Sequence, residues 1–181
     1  MKFEILNVDH GFCAYAVGND GGVLLFDCGH GSSIRPSTYL PRQGIKRIRR
    51  FFVTNYDEDH ISDLIDVRRH LDIEILTRNS SVTSAQIRAL KTPPISPAMN
   101  ELLAMIGDFT AAVPSHRFDP DGLRVSVFWN DYPVFTDTNN LSLLTFLDVG
   151  NLSFVLGGDL ETDGVGQVTR SSAGPPATGA G

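Results

Sequence analysis

The run Asn55-Tyr56-Asp57-Glu58-Asp59-His60, followed by Asp63, is the feature that most constrains this chain. It sets four carboxylates within seven residues, and like charges so close raise one another's pKa unless a cation lies between them or they splay into water. Phe51-Phe52-Val53-Thr54 before it reads as a short strand, and Ile61, Leu64, Ile65 and Leu71 after it fall on one helical stripe. The acidic run therefore occupies a strand-to-helix turn. Acidic residues are favoured at a helix N-terminus by its free N–H groups and dipole, so a solvated turn is one reading. The other is a set of oxygen donors for a hard divalent cation, which needs further ligands converging from neighbouring strand ends.

Two such ends exist. Asp159 follows the apolar strand Leu152 to Leu156 and the pair Gly157-Gly158, whose missing side chains let backbone and carboxylate approach a ligand. Asp27 ends Val23-Leu24-Leu25-Phe26 and is followed by Cys28-Gly29. Three strand ends thus carry acids.

The rest of the pattern is an α+β or layered α/β arrangement. Phe3 to Val8, Cys13 to Val17 and Val23 to Phe26, the last two separated by Asn19-Asp20-Gly21-Gly22, form an antiparallel beginning. Ile73 to Leu76 reads as a strand and Val82 to Lys91 as a helix, and Ser96-Pro97 caps a second helix carrying Met99, Leu102, Leu103 and Ile106. Leu123 to Trp129, Leu141 to Leu147 and Leu152 to Leu156 make a second β half, with Asp148-Val149-Gly150-Asn151 as a hairpin turn. Residues 1–162 read as one domain. Residues 163–181, with many small residues and no aromatic or apolar period, read as a disordered low-complexity tail.

The chain of 181 residues is 41% hydrophobic and carries a formal net charge of −6, which suits one globular domain and disfavours polyanion binding except through a local basic patch. Lys46-Arg47-Ile48-Arg49-Arg50 is the one candidate patch, and a solvated face is its plainer reading. No segment reaches the length of a membrane span and no signal peptide is evident, so a cytoplasmic protein without membrane contact is expected. Cys13 and Cys28 match no zinc spacing and read as reduced structural thiols.

Four ordered landmarks resemble a known family: Asn7-Val8-Asp9-His10-Gly11, Leu25-Phe26-Asp27-Cys28-Gly29, Thr54 to His60, and Gly157-Gly158-Asp159-Leu160. Together they are similar to the metallo-β-lactamase superfamily over residues 1 to 162. The Asn140-Leu141-Ser142-Leu143 step resembles its competence-type DNA-internalisation subgroup. The resemblance implies an αββα sandwich with one or two metals at the open edge of the sheets. The family's H-x-H-x-D-H pattern falls on Asn55, Asp57, Asp59 and His60, and two of the four match.

On that resemblance Asn55, Asp57, Asp59, His60 and Asp159 are the expected metal ligands, Asp59 and His60 the expected catalytic pair, and Asp27, His10 and Asn140 the expected outer support. Oxygen donors at Asn55 and Asp57 weaken a zinc site, so the expected cofactor is zinc or manganese, with magnesium or iron also compatible. The implied activity is activation of a metal-held water against a phosphodiester or ester, on a small-molecule or phosphodiester substrate. No equivalent of the family's middle histidine is evident; Asn139 or Asn140 stands nearest in order, and His116 is not assignable.

The family also continues past its late aspartate to a final histidine, where this sequence enters the low-complexity tail. A truncated second half is therefore expected, with an apolar face that an oligomer or partner would cover. The alternative reading is a catalytically inactive binding module or a fragment. Asp159 to Gly164 resembles half of an EF-hand loop, but its twelfth position is Arg170 instead of a bidentate Glu. His30 reads as a turn residue and His70 as a helix C-terminal one.

Overall fold

The computed structural model describes residues 1–111 and 118–172, and His116 lies outside them. The antiparallel beginning is β1 (Lys2–Ile5), β2 (Ala14–Val17) and β3 (Val23–Phe26). A helix that the sequence reading did not anticipate follows, α1 (Pro36–Arg42). Two prolines make that segment look like a loop, yet Pro36 sits at the helix start, where a missing N–H costs nothing. The buried Asp63 carboxylate accepts from Ser37 N–H at 2.7 Å and anchors the first turn.

Next come β4 (Arg47–Ile48) and β5 (Arg50–Phe52), then two short helices, α2 (Glu58–Ile61) and α3 (Leu64–His70), where one stripe was expected. The expected strand at Ile73 to Leu76 is divided into β6 (Asp72–Ile73) and β7 (Leu76–Thr77), which pair in different sheets. Helices α4 (Ser84–Leu90) and α5 (Pro97–Asp108) begin at side-chain caps from Thr83 and Ser96. The second β half is β8 (Leu123–Trp129), β9 (Leu143–Val149) and β10 (Leu152–Leu156).

The expectation of an unstructured segment from 163 is corrected for its first part, because α6 spans Thr162–Ser172. Val168 is 1% exposed and Asn130 Nδ2 donates to Gly164 O at 3.1 Å, so an apolar anchor and a backbone tie help to hold a helix that composition conceals. Residues 173–181 lie outside the described residues.

The first sheet has the order β1-β2-β3-β5-β7, antiparallel through β3 and parallel beyond it. The second is the three-stranded antiparallel β10-β9-β8, and β4 pairs with β6 in a small third sheet. Strand alternation divides the core in two. Cys13, Tyr15, Leu25, Phe51 and Val53 face a cluster with Leu64, Val67, Leu102 and Met105 of α3 and α5. Ala14, Ala16, Leu24, Phe26 and Phe52 face Leu123, Leu147 and Leu156 of the second sheet. Helix α6 lies beside β8. This is the layered α/β architecture expected, and the parallel strands β3 and β5 end side by side, at Asp27 and at the acidic run. On the second sheet Phe146 and its cross-strand partner Val155 are 41% and 59% exposed.

Candidate metal centre

The acidic turn is held from beneath by backbone. Cys28 N–H donates to His60 O at 2.8 Å and Asp63 N–H to Cys28 O at 3.0 Å, locking the turn onto the chain leaving β3. Gly11 and Gly29 let two loops press against Asp59, whose carbonyl oxygen would lie 2.1 and 2.0 Å from a Cβ at either position. Only glycine fits this close approach.

Asp27 organises the centre. It is fully buried, has a φ of +55°, and accepts from Thr54 N–H at 2.7 Å and from the Thr54 hydroxyl. Its Oδ2 also meets His60 Nδ1 at 2.7 Å. His60 Nε2 then faces Asp159 Oδ2 at 3.2 Å. Burial alone would lower the His60 pKa, but the Asp27 hydrogen bond and the charges of Asp27, Asp159 and Asp59 outweigh it and lift it to about 9. Burial pushes the Asp27 carboxyl up, opposed by the hydrogen bonds from His60 and Thr54. Asp59, His60 and Asp159 line one cavity of about 360 Å³, together with Phe12, Val155 and the Gly157–Gly158 turn.

Asn55 and Asp57 are engaged with other partners, Asn55 sharing Ser142 Oγ with the Asp159 N–H. Asn55 is fully buried: its Nδ2 donates to Ser142 Oγ at 3.2 Å and Asn139 Oδ1 at 3.4 Å, and its Oδ1 accepts from Asp57 N–H at 2.7 Å. Asp57 Oδ1 is ion-paired with Lys91 Nζ and accepts from Thr138 Oγ1 at 3.0 Å. The Asn140 side chain donates through Nδ2 to Asp137 Oδ2 at 3.3 Å, while its backbone carbonyl accepts from Asn130 Nδ2 at 2.9 Å. His10 is exposed on its turn, and His30 N–H donates to Ser62 Oγ at 3.0 Å.

Sequence reasoning missed Lys91, Thr138 and Ser142 as neighbours of the acidic run. Ser142, which bonds both Asn55 and the Asp159 N–H, stood in a motif already noted, whereas nothing local singled out Lys91 or Thr138.

The metallo-beta-lactamase superfamily model matches residues 13–164, and the chain belongs to that superfamily. No curated protein matches it. The fold is therefore of a hydrolase type whose members usually bind divalent metals, often zinc.

The donor set fits such a metal unequally at the two family positions. At one, His60 Nε2 meets Asp159 and Asp59 lines the same cavity, donor types that a divalent cation accepts. At the other the fit is poorer, since Asn55 is engaged through both its oxygen and its amide and Asp57 Oδ1 carries an ion pair and a hydroxyl. Among the described residues no three His, Cys, Asp or Glu side chains converge into a complete metal-holding group.

Proposed function

We propose that this chain is a metal-dependent hydrolase of phosphodiesters or esters that works at Asp59, His60 and Asp159. The observation that carries the reading is the orientation of His60. Asp27 grips its Nδ1 from a buried position and turns Nε2 toward Asp159 and the cavity, the arrangement by which an outer carboxylate fixes a metal-binding imidazole.

A zinc or manganese ion held by His60, Asp159 and Asp59 would supply Lewis acidity toward a water or substrate oxygen. Thr54 fixes Asp27 through both its N–H and its hydroxyl, so the imidazole cannot rotate without breaking buried hydrogen bonds. The Asp59 carboxylate, on the same cavity wall, would take the proton of an attacking water. The Asn140 to Leu143 step supports placement in the competence-type subgroup, and with it the choice of phosphodiester over amide. The exposed Phe146 and Val155 support an oligomer or partner over the second sheet.

The test is metal content by inductively coupled plasma mass spectrometry, with manganese- and zinc-supported hydrolysis of a chromogenic phosphodiester, on wild type and on Asp59→Ala/His60→Ala. Metal and turnover in the wild type, both lost in the double variant, are expected. Metal absent from both proteins would overturn the proposal.

A second reading, a binding module without catalysis, is favoured by one observation: hydrogen bonds that serve the fold consume Asn55 and Asp57. It predicts unchanged metal content in the double variant and no turnover in either protein.

A further inference from the structure

We propose that the ammonium of Lys91 takes the place of a metal ion at the Asn55–Asp57 position, limiting this chain to the single metal position at His60. The inference rests on the reading above for the metal it counts, and adds a residue that neither the family pattern nor local sequence assigns. Lys91 is the first residue beyond α4, in extended backbone at φ −98° and ψ 140°, which directs its chain off the helix end. Its side chain is 18% exposed and ion-pairs with Asp57 Oδ1, the same oxygen that accepts from Thr138 Oγ1.

Three features make this a closed arrangement. Asp57 is the carboxylate that stands where the family pattern has its second histidine, and its charge is already met by an ammonium on Oδ1. Asn55, in place of the first histidine, has its oxygen turned onto Asp57 N–H and its amide onto Ser142 and Asn139, leaving no donor aimed outward. A positive ammonium and a divalent cation on one carboxylate repel each other in a partly buried site, where water screens them weakly. The lysine thus neutralises one carboxylate of the acidic run, and does so without a metal.

The experiment counts manganese and zinc bound to the full chain for wild type, Lys91→Gln, Lys91→Arg, Asp57→Asn and the Asp57→Asn/Lys91→Gln double variant, with thermal unfolding recorded for each. Lys91→Gln removes the ammonium from the Asp57 carboxylate and is expected to bind measurably more manganese than wild type at the same free concentration, and more weakly than a site with several ligands. The double variant should return to the wild-type count, and Lys91→Arg should keep it. Asp57→Asn alone should leave metal content unchanged, a measurement that does not depend on Lys91→Gln folding. Equal counts in wild type and folded Lys91→Gln, or loss of metal from Asp57→Asn, would overturn the inference. Metal retained by Asp59→Ala/His60→Ala would overturn the proposed function and leave this comparison untouched, so the two failures are separable.

Discussion

Two residues carry measurable consequences of their own. Tyr56 is buried and donates to Asn79 O at 3.0 Å, and burial, partly opposed by Arg78, pushes its pKa up to about 12. The unfolded chain releases this proton near pH 10 while the folded one keeps it, so stability is complete below about 10 and falls as pH rises toward about 12. Tyr56→Phe should cost about 1 kcal/mol at neutral pH and flatten that alkaline decline in urea titrations. Part of the decline will persist, because burial also raises Tyr15 to about 12.

Asp27→Asn retains one acceptor oxygen for the two Thr54 donors and presents an amide to His60. The expected outcome is a loss of about 3 kcal/mol in unfolding free energy and a drop of roughly 10- to 100-fold in metal affinity. Calorimetry on the folded variant separates the two. Asp27 and Asp159 were legible in the sequence because each follows a strand, and Asp59 and His60 because they match the Asp-His pair of the family pattern. Lys91 and Thr138 were not, since a helix end and a loop reach Asp57 only through the tertiary fold.

Among the elements, the strands and the capped helices were the readable ones. The Thr83 and Gln86 capping box and the Ser96 cap are local chemistry, so α4 and α5 start where the sequence implies. Helix α1 was hidden by prolines and secured by the distant Asp63, and the division of β6 from β7 depends on which sheet each pairs with. Helix α6 rests on Val168 within a stretch of small residues. The turn at Asp59 depends on glycine in a way that can be checked: Gly29→Ala drives a methyl into backbone 2.0 Å away. The β3-to-α2 contact must then open, and a loss of at least about 3 kcal/mol together with displaced His60 imidazole resonances is the expected result. A variant as stable as wild type would contradict the packing described.

For the whole molecule, charge decides more than shape. The basic run at Lys46 to Arg50 is largely consumed internally: Arg47 meets Glu74 at 3.4 Å, Arg49 meets Asp20 at 2.6 Å, and the buried Arg50 meets Asp119 at 3.0 Å. With a net charge of −6 as well, the protein should show no salt-dependent affinity for duplex DNA in fluorescence anisotropy at physiological ionic strength. Tight, salt-sensitive binding would require a surface not described above. The two sheets meet at their strand ends, where Leu143 N–H donates to Thr54 O at 2.8 Å beside the hydroxyl that grips Asp27. That single amide proton can exchange with solvent deuterium only when the sandwich parts at this seam. Its exchange rate therefore serves as a clock on the closed state, slowed by any ligand that prefers it, and occupancy of the cavity can be read from a backbone position that touches none of the three candidate donors.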